Sequence, residues 1–139
     1  MSERSVRISI EHLLAETKDG NLNPIFLDVG KTIDPDVGFV QDIQAAITSG
    51  QMWWTANEPA VRKAVCENAL VNYLGSKDEI KTALELFEKI LKVLEKCGVN
   101  TTPAALPVLA AQAAVLVLRL GREWCNDKAT KSSSQKKKQ

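Results

Sequence analysis

Residues 76–98 read SKDEIKTALELFEKILKVLEKCG, and they decide the fold class. Ser76 and Glu79 stand in the S/T-x-x-E arrangement of a capping box, in which each side chain serves a backbone N–H of the other residue. Behind the box, Ile80, Leu84, Phe87, Leu91 and Leu94 recur at four- and three-residue steps. Leu86, Ile90, Val93 and Cys97 form a second stripe beside the first. The combined apolar face is wider than a coiled-coil seam, so this helix must touch at least two neighbours. Lys81–Glu85, Glu85–Lys89 and Glu88–Lys92 lie at i,i+4 on the other side, each worth about 0.3 kcal/mol. Gly98 stops the helix.

Thr101-Thr102-Pro103 opens a last helix, predicted over 103–124. Between Pro103 and Leu118 the only polar residue is Gln112, so this helix should be surrounded by others. Pro107 has no N–H to donate, and it either ends an opening turn or bends the helix. Residues 99–118 also read as an accessory membrane anchor, since about 20 apolar residues can span a bilayer. Arg119 and Arg122 would flank the span, with the basic end on the cytoplasmic side. The closing Lys-Lys-Lys-Gln even fits a dilysine retrieval pattern. Asn100, two threonines, two prolines, Gln112 and many alanines weigh against insertion, and a buried central helix is the expectation.

Upstream, Asp34 can cap and Pro35 can take the first helical position of a helix over 36–49. Val37, Val40, Ile43 and Ile47 carry its spacing, and Gly50 fits just past its end. Thr55 and Glu58 form another capping box, with Asn57 a rival cap and Pro59 in the first turn of a helix over 58–74. Residues 51–59, QMWWTANEP, then become a connection between helices. Trp53 and Trp54 are adjacent there, and in an extended stretch adjacent side chains point to opposite sides. Either both rings fold over the end of the core, or one faces outward as a protein-interaction hot spot. Trp124 is expected to cap the last helix against the bundle.

The N-terminal third is less decided. Val6, Ile8 and Ile10 alternate with polar residues, as a short strand would, but the same residues run into a helix near 9–17 capped by Ser9, which is the preferred reading. Lys18–Pro24 reads as a loop, because Asp-Gly and Asn-Pro favour turns. Ile25–Val29 reads as a second short strand. The expectation is a mainly α, single-domain antiparallel bundle of four to five helices over 1–125, with a short strand or extended segment at its N-terminus.

The 139 residues suffice for one domain without a metal or disulfide. Cys66, Cys97 and Cys125 lie far apart with no C-x-x-C, so they read as isolated thiols in a reducing compartment, cytoplasmic or nuclear. With His12 they lack the paired spacing of a zinc site. No Gly-x-Ser-x-Gly is present, and Gly30-Lys31-Thr32 has Ile25 where a P-loop needs glycine. Asp34, Asp36 and Asp42 could gather around a cation, yet acidic groups favour helix N-termini anyway. No catalytic, cofactor or metal residue is assigned. A non-catalytic protein is expected.

Charge supplies the functional reading. Residues 126–139 hold five lysines (Lys128, Lys131, Lys136, Lys137 and Lys138) against Asp127, a net +4; the chain's +1 leaves −3 on the body. The tail has no large apolar side chain and is expected to be disordered. Lysines in such a tail can contact phosphates without sequence preference. The primary expectation is a nucleic-acid-associated or self-assembling protein, a nucleocapsid-like subunit or small regulator. The alternative is an adaptor that binds a protein partner through Trp53 and Trp54.

Overall fold

The computed structural model describes residues 3–33, 43–67, 78–99 and 101–138, with Glu3, Arg122 and 126–138 described for their backbone only. Among them are five helices and no strand: α1 (Glu3–Glu16), α2 (Asn23–Ile33), α3 (Ile43–Cys66), α4 (Glu79–Cys97) and α5 (Leu106–Lys138). The mainly α expectation holds.

The N-terminal segment is helix and not strand, but it starts at Glu3, so Ser9 lies inside it and does not cap it. In α1, Val6 and Ile10 are buried while Ile8, midway between them, is 56% exposed. The buried residues Val6, Ile10, Leu13 and Leu14 follow the helical period, and the alternation at 6–10 was coincidental. Thr17 closes the helix by donating its hydroxyl to the Leu13 carbonyl at 2.7 Å. The turn that follows is built from side chains: Asp19 accepts from the Asn21 N–H and Asn21 from the Asn23 N–H. Asn23-Pro24 then starts α2 rather than ending a loop. Pro24 sits in the first turn, where its missing N–H costs nothing. Ile25 and Val29 are buried one turn apart, so the second expected strand is also helix.

The largest correction falls on 50–58. The sequence suggested a helix end at Gly50 and a new start at Thr55, but α3 runs unbroken through both. Gly50 is a contact point and not a terminus. A methyl on it would lie 2.8 Å from the Phe26 carbonyl carbon, and one on Gly30 would lie 2.6 Å from that of Ala46. Each glycine thus receives the other helix's backbone, and α2 and α3 cross closely. Thr55 and Asn57 do not cap; they bond back to carbonyls four residues earlier, Gln51 and Trp53. Pro59 lies inside the helix on its exposed side, as does Thr55, whose carbonyl it cannot serve. The parts of the expected 36–49 and 58–74 helices at 34–42 and 68–77, including Asp34, Asp36 and Asp42, lie outside the described residues.

In α4 the observed cap is Asp78, whose carboxylate accepts from the Lys81 N–H at 3.1 Å. Leu86, Ile90 and Leu94 form its innermost line, and Leu84, Phe87 and Leu91 flank it. The wide face meets α5, α3 and α1, as its width required. Pro103 lies in the turn before α5 and Pro107 in its first turn, so neither bends it. Leu109 to Leu118 are all buried, and α5 touches all four other helices.

Among the described residues no helix is long and apolar enough to cross a membrane. Residues 99 and 101–105 are not helical, and the apolar helix from 106 to 118 rises only about 20 Å against a hydrocarbon core of about 30 Å. Gly121, at φ 72° and ψ −170°, interrupts α5, and helical backbone resumes beyond it to Lys138. The tail expected to be disordered thus carries helical backbone to Lys138.

Candidate functional site

Among the described residues, no group of three or more His, Cys, Asp or Glu could hold a metal ion. His12 is a surface residue paired with Glu16. A groove of ≈ 400 Å³ between α1 and α4 is lined by Glu11, Lys18, Asp78, Glu79, Ile80 and Arg119. Its arginine is already occupied: Nε donates to Thr17 Oγ1, Nη1 to Glu79 and Nη2 to the Leu14 carbonyl, at 2.9, 2.9 and 2.6 Å. Arg119 thus joins the end of α1 to the start of α4. It compensates the last carbonyls of α1 with a positive charge.

Trp53 and Trp54 are both buried, at 2% and 9% exposure. The reading in which one ring faces outward is therefore corrected. The reason is that they lie on a helix, not in an extended link, and residues one apart there differ by only about 100°. Both fall within the broad face that α3 turns to the core. Trp53 Nε1 reaches Thr101 Oγ1 at 3.3 Å. One turn on, Asn57 accepts from the Val99 N–H at 2.7 Å and donates to the Val99 carbonyl at 3.0 Å. These two residues hold the α4–α5 connection against α3. Asn57→Ala should lower stability by about 1–3 kcal/mol, because it strips partners from polar groups at 99. Urea denaturation checks this, and an unchanged midpoint would contradict it.

The densest polar arrangement surrounds Trp124. Trp54, Glu58, Arg62 and Cys66 follow one another at i,i+4 along α3, and each engages Trp124 or Cys125. The Trp54 and Trp124 ring centroids are 5.9 Å apart. Glu58 accepts from Trp124 Nε1 at 2.8 Å and from Arg62 Nη2 at 2.6 Å. Arg62 Nη1 donates to the Trp124 carbonyl at 2.6 Å, and its guanidinium lies 4.2 Å from the ring centroid, within cation–π range. Cys66 and Cys125 are joined by a disulfide. The expectation of three isolated thiols is thus wrong for two of them, and the argument from them for a reducing compartment falls with it. Cys97 is free and exposed.

This anchor, not the tryptophan pair alone, is what the sequence reading missed. The i,i+4 pair Glu58–Arg62 was its visible signal, together with Cys66 one turn further on. The candidate contact residues Lys128, Lys131, Lys136, Lys137 and Lys138 lie on the backbone that leaves this anchor.

Among the described residues, Asp28 on α2 has a displaced ionisation. Burial raises its pKa and nearby Glu16 raises it further, while His12 and Lys31 pull it down less. A raised folded pKa favours the folded state while Asp28 is protonated. Its contribution is therefore complete below the unfolded value of about 3.9 and is lost as pH rises through the folded value. Asp28→Asn should raise the melting temperature at neutral pH and lose that advantage towards pH 3. A variant that melts below the parent at pH 7 would refute this.

Compared with known protein families, curated proteins and solved structures, the chain has no match. Fold and site together define a class: an all-α protein packed around a buried central helix, with Trp124 and Cys125 clamped to α3 just before a basic C-terminal segment.

Proposed function

We propose that this is a non-catalytic protein that acts by association, with Lys128, Lys131, Lys136, Lys137 and Lys138 contacting the phosphates of nucleic acid. The observation that carries the reading is the segregation of charge, +4 on 126–139 against −3 on the remainder. The anchor supports it. Residues 124 and 125 are held to α3, so the lysines emerge from one defined point on an acidic body. The two arginines of the body with the most bonds, Arg62 and Arg119, are committed internally. Self-assembly of the body would multiply weak tails into a stronger array.

Binding to a generic single-stranded RNA across a salt series tests the reading. Five lysine contacts give a log–log salt slope of about −3.5, or roughly a hundredfold loss of affinity between 50 and 200 mM salt. A chain lacking 126–139 should lose that binding. Equal affinity with and without the tail would refute the proposal. An adaptor role for Trp53 and Trp54 is not carried forward, because both rings are buried.

A further inference from the structure

We infer that the Cys66–Cys125 bond is a reducible latch that decides whether residues 121–125 stay seated on α3. The segment has a fixed base and a hinge. Immediately before it, Arg119 is bonded to α1 and α4 through three donors. Gly121 then adopts a positive φ that favours glycine, and an added Cβ there would meet no distant part of the described chain within 4 Å. Beyond it, the segment is held covalently at Cys125 and by polar and ring contacts at Trp124.

Those contacts are incomplete without the covalent bond. The side chains of Arg62 and Glu58 are 16% and 17% exposed, so water competes for their bonds. Arg62 Nε is buried and has no partner among the described residues, a weakness within the clamp itself. The disulfide holds Trp124 at a high effective concentration over Trp54 and Arg62. Once it is cut, the clamp must hold the segment alone, and Trp54 loses its cover whenever Trp124 leaves.

Both cysteines are half-buried, which leaves them within reach of a small or protein dithiol. A thiolate of the dithiol attacks one sulfur and forms a mixed disulfide, releasing the other cysteine as a thiolate. The second thiol of the reductant then displaces the first cysteine. Cys66 and Cys125 end as two thiols, having gained two electrons and two protons, and the dithiol ends as a disulfide. The latch operates whether or not the tail contacts nucleic acid.

Hydrogen exchange of the full chain, read by mass spectrometry well below the melting temperature, tests this. The oxidised protein, the protein reduced with dithiothreitol and the Cys66→Ser/Cys125→Ser variant are compared. Reduction should speed exchange at 121–125 at least roughly tenfold, while α2 and residues 109–118 keep their rates. The double variant should match the reduced protein and ignore dithiothreitol. Unchanged exchange at 121–125 overturns the latch. So does equal acceleration in every helix, which would make the bond a general staple, and so does the absence of a disulfide in air-oxidised protein.

Discussion

Gly30→Ala and Gly50→Ala should each cost the protein about 3 kcal/mol or more, enough to lower its melting temperature by roughly 10 °C. The sign is the informative part. On an open helix surface, alanine in place of glycine stabilises by about 1 kcal/mol. Here the added carbon would meet backbone on the opposite helix, 2.6 Å from the Ala46 carbonyl carbon or 2.8 Å from that of Phe26. A backbone carbonyl cannot rotate away as a side chain can. Relief requires α2 and α3 to separate, which loosens Ile25, Val29, Ala46 and Ile47 together. The two sites share one interface, so the double variant should cost less than the sum of the single ones. Thermal and urea denaturation decide the matter. A melting temperature that is unchanged or raised in either single variant would show that the crossing is not this close.

Trp53→Ala should cost about 3–5 kcal/mol, the range for removing a buried large aromatic side chain. Trp53 is among the largest fully buried side chains and also bonds to Thr101 on the α4–α5 connection. The substitution therefore opens a cavity and releases a connection that Asn57 alone must then hold. Trp53→Phe keeps most of the volume and gives up the bond, so it should cost appreciably less. Trp54→Ala should also destabilise, since Trp54 supports the Trp124 ring. Early melting of both alanine variants is the expected outcome. If Trp54→Ala left the denaturation midpoint unchanged, the ring would have to be exposed in solution, contrary to its burial.

Helix 79–97 and the apolar α5 were legible because their signals are local and redundant. Width of face and closing glycine agreed for α4, while the cap is Asp78 where the box had named Ser76, and an unbroken apolar run favoured an interior helix over a membrane anchor. The misreadings came from residues whose meaning depends on a distant partner. Gly50, Thr55 and Asn57 are terminus signals in isolation. In place, Gly50 admits the backbone of α2, and Asn57 serves Val99, 42 residues away. Ile8 mimicked a strand because its exposure is not written in its type. The candidate site was half legible. The lysine cluster stands out in composition, whereas the anchor that precedes it depends on pairing across 59 residues between Cys66 and Cys125. No local pattern encodes that distance. Its local half, the four-residue spacing of Trp54, Glu58, Arg62 and Cys66, was present and went unread because an assumed helix start between Trp54 and Glu58 interrupted it.

The 5.9 Å separation of the Trp54 and Trp124 rings also makes the molecule its own optical gauge. Two indole chromophores so near one another share their excitation, which gives a paired band in circular dichroism that neither ring produces alone. The sulfur–sulfur bond one residue further along is an efficient quencher of indole emission. Departure of Trp124 should therefore erase the paired band and brighten and redden the fluorescence together, with no label attached. Trp53, fixed elsewhere against Thr101, supplies the constant background for that signal.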